Sequence, residues 1–211
     1  VAGPPRSGVA PEGATSVATL SSPPLSQVVA EMLTNSDNET AESAMKEIGL
    51  GTSGQGTFAA GAAGLTELLS DAGVPRDGVQ VVDGTGLTTE DHLTCAALVD
   101  VLTRPDTGSV LRDGMAVAGQ TGTLALRWRD TPVAGRMRAK TGTLRNVTAL
   151  AGEVQPLPGG TVDFAYVANV PDPATVTPDS VDMDALPGIL LGYGEGIDLA
   201  ALGPLPAEPL G

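Results

Sequence analysis

Apolar residues in 25–35, LSQVVAEMLTN, fall at Leu25, Val28, Val29, Met32 and Leu33. Steps of three and four place them on one face of a helix. The same spacing recurs in 38–50, NETAESAMKEIGL, at Ala41, Ala44, Met45 and Ile48. Residues 57–73, TFAAGAAGLTELLSDAG, predict a third helix, stopped by Gly73 and Pro75. A capped helix is expected in 88–105, TTEDHLTCAALVDVLTRP, ending before Pro105. Two short strands are expected among these helices. One is 15–22, TSVATLSS, with Val17 and Leu20 as its apolar residues, ended by Pro23 and Pro24. The other is 79–88, VQVVDGTGLT, a strand running into a glycine-rich turn.

From about residue 136 the pattern changes to strands. RMRAKTGT (136–143), NVTALAGEVQ (146–155) and TVDFAYVANV (161–170) are strand candidates, the last two joined by the turn PLPGG. A helix within 182–202 and a proline-rich end follow. Helices first and strands later predict an α+β fold, with helices segregated from a largely antiparallel sheet. Three strands make a thin sheet with exposed edges, so further strands are expected from a segment outside this chain. Residues 1–14, rich in Pro, Gly and Ala, read as a linker. The main domain is expected over 15–203 and a tail over 204–211.

Composition narrows the function. The chain has 211 residues, enough to bury a core, and aromatics make up only 2% of it. Ala, Val, Leu, Ile and Met must therefore fill the interior. A net charge of -14 repels nucleic acid and anionic lipid, and both are discounted as partners. No apolar run reaches the roughly 20 residues of a transmembrane segment. The only cysteine, Cys95, is expected as a small buried hydrophobe. The only histidine, His92, excludes multi-histidine metal sites and is expected on a helix, partly exposed.

The tetrapeptide T-G-T-L occurs twice, in GQTGTL (119–124) and in AKTGTL (139–144). The residues that follow share little, so this is no structural repeat. In the second copy Lys140 opens a run of small and hydroxylated residues on a strand. Thr141 and Thr143 are expected on one side of it, and Lys140 and Gly142 on the other. A lysine, two hydroxyls and a glycine that leaves the backbone accessible suit a carboxylate and a developing oxyanion. The first copy lacks the cation and reads as a loop. Between two predicted helices lies S-D-N (36–38). Ser36 and Glu39 fit a capping box, with Ser36 as N-cap. Alternatively, Ser36 relays a proton and Asn38 holds a substrate amide.

S-D-N followed roughly a hundred residues later by K-T-G is the signature pair of penicillin-binding proteins and serine β-lactamases. EMLTNSDNETAESAMKEIG, VVDGTGLTTEDHLT, AVAGQTGTL and RAKTGTLRNVTALAGEV occur in that order. Over residues 15–170 the arrangement resembles the D-alanyl-D-alanine carboxypeptidase/endopeptidase family, the class C low-molecular-mass penicillin-binding proteins. The resemblance implies the C-terminal portion of a β-lactamase/transpeptidase-like fold. It also implies acyl-enzyme chemistry on the D-alanyl-D-alanine end of peptidoglycan stem peptides, no cofactor, trapping by beta-lactam antibiotics, and an exported protein, periplasmic or cell-wall associated. Under it, Ser36 shuttles protons, Asn38 binds the substrate amide, Lys140 sets the electrostatics, and Thr141 and Thr143 take the terminal carboxylate. Gly142 lies between them, and the Thr143 N–H is one oxyanion donor. GQTGTL and DGTGLT (83–88) match family segments outside the usual motifs. DGTGLT also suits an ordinary tight turn, and structural support near the cleft is expected of it. Arg145 is a candidate for attracting anionic substrate.

The nucleophile motif S-x-x-K has one match, SAMK, Ser43 to Lys46. It follows S-D-N, whereas in the family the motif lies far upstream, and Lys46 is expected to point to solvent. SAMK is therefore rejected. The nucleophile is expected from an N-terminal segment of the same protein, present as a second chain after cleavage in or before GPPRSGVAPEG and still associated. The alternatives are a non-catalytic peptidoglycan-binding module that keeps the substrate cleft, and a structural domain in which S-D-N is only a cap.

Overall fold

The computed structural model describes residues 7–169 and 183–194. Six helices and four strands are seen among the described residues: α1 Leu25–Asn35, α2 Asn38–Ser53, α3 Phe58–Asp71, α4 Cys95–Thr103, α5 Gly108–Gly114 and α6 Leu186–Leu191, with β1 Ala116–Val117, β2 Met137–Thr143, β3 Val147–Val154 and β4 Val162–Asn169. The strands form one antiparallel sheet in the order β1-β2-β3-β4. The architecture is the expected α+β.

The sheet buries one face. Along β3 burial alternates strictly, and Leu150 and Val154 are fully enclosed. They meet Met137 and Ala139 of β2, Phe164 of β4, Leu124 and Leu191 in one apolar cluster. This follows from the period-two side-chain alternation of a strand, which sends Leu150 and Val154 to the apolar face and Glu153 to the face that Arg112 of α5 meets. Trp128 packs against the cluster, and its Nε1 donates to the Asp184 carbonyl at 3.0 Å, tying the segment before α6 to the loop before β2.

Arg112 of α5 joins helices to sheet. Its Nε lies 3.1 Å from Glu153 Oε2 and its Nη1 3.7 Å from Asp163 Oδ1. Glu153 and Asp163 are directly opposite on β3 and β4. Like charges in that position repel, and the guanidinium between helix and sheet neutralises them. Arg112 also donates to the Leu102 carbonyl of α4.

Helices α2 and α3 form a hairpin in near-backbone contact. A Cβ built on Gly61 would sit 2.2 Å from the Met45 carbonyl oxygen, so only glycine fits this crossing. Thr57 caps α3, its side chain accepting from the Ala60 N–H at 3.2 Å.

Several expectations are corrected. Residues 15–22 form no strand: Val17 and Leu20 are almost wholly exposed, with no neighbouring strand among the described residues. The run 79–88 is reduced to one bridge, Gln80 with His92. His92 is therefore exposed on a bridge, not on a helix. The helix expected from 88 begins only at Cys95, because Thr94 is its N-cap and accepts from the Ala97 N–H at 3.1 Å. Cys95 then lies in the exposed first turn rather than in the core. Helix α5 and strand β1 were not expected; both are too short to carry a period. The helix placed in 182–202 covers Leu186–Leu191, and positions 182, 195–203 and the tail 204–211 lie outside the described residues. Among the described residues, no helix is long and apolar enough to cross a membrane.

Candidate active site

Ser36 closes α1 in the left-handed region, φ 58° and ψ 50°, with its N–H bonded to the Met32 carbonyl. For a non-glycine residue this backbone costs roughly 1–2 kcal/mol. Asp37 then opens α2. Its Oδ1 accepts from the N–H groups of Glu39 at 2.9 Å and Thr40 at 3.3 Å, and its Oδ2 from the Thr40 hydroxyl at 2.8 Å. The expected capping box is thus corrected: the cap is Asp37, not Ser36. Hydrogen bonds from the Thr40 side chain and backbone, with a smaller one from the Glu39 N–H, hold the Asp37 carboxyl below its ordinary value. Ser36, spent on ending α1, keeps its side chain free.

That side chain meets β2. Lys140 Nζ donates to Ser36 Oγ at 2.7 Å and to the Thr141 carbonyl oxygen at 2.7 Å. Burial lowers the Lys140 pKa from its ordinary 10.5, because desolvation disfavours the ammonium. Thr141 Oγ1 donates to Thr123 Oγ1 at 3.3 Å. Gly142 is half-buried, and a Cβ on it would meet only the Ala149 Cβ, at 3.4 Å. Thr143, at the end of β2, is exposed. Asn38 is the exposed first residue of α2, two positions from Ser36. The structure therefore joins Ser36, Lys140 and Thr141 directly. Asn38, Gly142 and Thr143 stand at the neighbouring ends of the same elements.

The two elements are held together by Thr34, to which the sequence assigned no role, and by the GQTGTL turn, expected as a loop. Thr34 Oγ1 donates to the Gly114 carbonyl oxygen at 2.6 Å, fixing the end of α1 against α5. Gly122, φ 53°, lies so close to α1 that a Cβ would be 2.0 Å from the Thr34 carbonyl oxygen. GQTGTL is a tight turn ending in a single 3₁₀ turn, Gly122–Leu124, and it bridges the end of α1 and K-T-G. The twin T-G-T spacing was the available signal for Thr123.

Ser43 and Lys46 are elsewhere engaged. Ser43 Oγ donates to the Glu39 carbonyl of its own helix at 2.8 Å. Lys46 is half-buried with Nζ 4.2 Å from the Phe58 ring centroid, not pointing to solvent as expected. Asp83 organises DGTGLT by accepting from the N–H groups of Thr85 at 2.8 Å, Gly86 at 2.5 Å and Thr88 at 3.1 Å. Desolvation pushes the Asp83 carboxyl up, but these hydrogen bonds outweigh it and hold the pKa below 3.8. Desolvation, aided by the neighbouring Asp83 charge, keeps Asp91 above that value. Gly84 packs on the first turn of α2, where a Cβ would be 2.7 Å from the Ala41 carbonyl oxygen. DGTGLT thus buttresses the helix that begins at Asn38.

The family model of D-Ala-D-Ala carboxypeptidase 3 (S13) matches residues 5–186. Carboxypeptidase DacB of Mycolicibacterium smegmatis is 33% identical over 193 residues, 87% of this chain and 41% of the relative. A D-alanyl-D-alanine carboxypeptidase of Actinomadura sp. is 38% identical over 153 residues, 69% of this chain and 28% of the relative. Among solved structures, penicillin binding protein 4 (dacB) of Haemophilus influenzae matches with a TM-score of 0.70 at 23% identity, over 81% of this chain and 40% of that one. A β-lactamase of Burkholderia ambifaria matches with a TM-score of 0.53 at 18% identity, over 82% of this chain and 66% of that one. These two likenesses concern the fold. The chain thus spans less than half the length of the curated relatives named here. Matched over residues 5–186, with S-D-N and K-T-G meeting at one hydrogen bond, the chain belongs to the D-Ala-D-Ala carboxypeptidase 3 (S13) family.

Proposed function

We propose that this chain is the C-terminal part of a serine-type D-Ala-D-Ala carboxypeptidase/endopeptidase acting on peptidoglycan stem peptides outside the cytoplasmic membrane. The nucleophile comes from an N-terminal segment of the same protein. The observation that carries the reading is the 2.7 Å contact of Lys140 Nζ with Ser36 Oγ, which brings the two motifs together.

The serine of the N-terminal segment attacks the carbonyl carbon of the bond between the two D-alanines, and its proton passes to a base in that segment. The Thr143 N–H stabilises the oxyanion as negative charge develops. Asn38 holds the peptide amide. The proton held by that base reaches the departing amine nitrogen through Ser36, which accepts it as it donates its own hydroxyl proton while the C–N bond breaks, and Lys140 keeps that hydroxyl polarised. Thr141 and Thr143 take the terminal carboxylate next to the ammonium, with the small Gly142 between them. Water then cleaves the ester. A penicillin reacts the same way, but its leaving group stays tethered, which makes it an inhibitor.

Labelling with a fluorescent penicillin, read by intact-mass spectrometry, tests the reading. A covalent adduct on a co-purifying N-terminal fragment is expected. A folded, monomeric 211-residue species with no partner would overturn the split arrangement. The engagement of Ser43 and Lys46 within the helical hairpin favours one second reading, a peptidoglycan-binding module without chemistry. Absence of label with retained peptidoglycan binding would establish that instead.

A further inference from the structure

Thr123 sits on a turn fixed at three points. Leu124 beside it is fully buried. Thr121 Oγ1 accepts from the Val117 N–H at 2.8 Å. Gly122 is pressed against the last turn of α1, two residues before Ser36, where no side chain fits. Yet Thr123 itself is exposed, and among the described residues its side chain has one hydrogen-bond partner, the Thr141 hydroxyl. At 3.3 Å that contact is long for an O–H···O bond, which prefers about 2.7–2.8 Å. Two hydroxyls are thus held side by side, on the residue whose carbonyl oxygen accepts from the Lys140 ammonium and on the turn facing it, with their hydrogen-bonding capacity largely unspent. A carboxylate offers two oxygens with about four lone-pair sites and can accept from both hydroxyls at once.

We propose that Thr123 is a further substrate-positioning residue, its hydroxyl joining that of Thr141 to hold the terminal carboxylate of the stem peptide. The inference rests on the proposed carboxypeptidase reading and extends its carboxylate site from β2 to a second chain segment. The first T-G-T copy then does chemistry by position, without needing a lysine of its own. Its rigid turn also couples the carboxylate site to the Ser36 end of α1.

The test is steady-state hydrolysis of an N-acylated peptide ending in D-Ala-D-Ala by the full-length protein, N-terminal portion included. Thr123→Val keeps the shape and removes the hydroxyl. A KM rise of about 10-fold is expected, as for one hydrogen bond to a charged group, with kcat changed less than about 3-fold. Thr123→Ser should restore KM to within about 2-fold, and the melting temperature of both variants should match the parent. An unchanged KM in Thr123→Val, or a loss that Thr123→Ser does not restore, overturns the inference alone. Absence of hydrolysis by the parent protein overturns the proposed function and this inference with it.

Discussion

Lys140 Nζ and Ser36 Oγ lie 2.7 Å apart although 104 positions separate them in the chain. The pair exists because a left-handed residue ends α1 where β2 passes. Lys140→Ala should slow acylation by a β-lactam by about 10²–10³-fold, the cost of one preorganised electrostatic group. Ser36→Ala should cost about 10²–10⁴-fold, as for lost proton transfer. Stopped-flow acylation of the full-length protein checks both, and an unchanged rate would remove the residue from the site.

On the proposed reading, Lys140 should also make acylation pH-sensitive. Burial lowers its pKa from 10.5, so the ammonium is lost earlier than in a free lysine. Acylation should fall on the alkaline side with a midpoint below 10.5 that disappears in Lys140→Arg. The stability effect has the opposite sign. Burying the charged form costs stability below the folded pKa, and this cost fades as pH rises from that value towards 10.5. Lys140→Met should therefore raise the melting temperature near neutral pH while acylation is lost.

Gly122 and Gly61 lie at the tightest contacts named above. Gly122→Ala would place a methyl 2.0 Å from the Thr34 carbonyl oxygen, on a backbone with φ 53°. Acylation should drop, because the end of α1 must move and carry Ser36 with it. Gly61→Ala places its methyl 2.2 Å from the Met45 carbonyl oxygen and should destabilise by about 1–3 kcal/mol or more, seen in chemical denaturation.

Arg112→Met leaves Glu153 and Asp163 facing each other without their cation. A loss of about 1–3 kcal/mol is expected in urea unfolding, discounted for partial exposure. Adding Glu153→Gln should recover part of it. No recovery would mean that Arg112 acts through the Leu102 carbonyl rather than through the carboxylates.

Elements with a long apolar period were legible in the sequence. Helix α1 spans Leu25–Asn35, as its spacing predicts, and β2, β3 and β4 fall within a residue or so of expectation. Helix α5 and β1 were not legible, since they exist through contacts with α1 and β2 rather than through a pattern of their own. The run 79–93 misled because Asp83 and Asp91 organise it by side-chain hydrogen bonds, which leave no hydrophobic period. Cys95 looked apolar by its neighbours, but Thr94 begins the helix and turns that position outward.

The sequence alone determined the fold class, the order of the long elements, and the two motifs whose pairing names the family. Those depend on residue type and short-range spacing, which a chain carries in any conformation. Tertiary structure alone decided that Asp37 caps α2, that Ser36 is thereby free to face Lys140, and that Thr123 of the lysine-less copy stands beside Thr141. Each of these depends on where α1 ends relative to the sheet. Close backbone packing at Gly122 and the hydrogen bond from Thr34 to Gly114 set that position, and both join residues far apart in the chain.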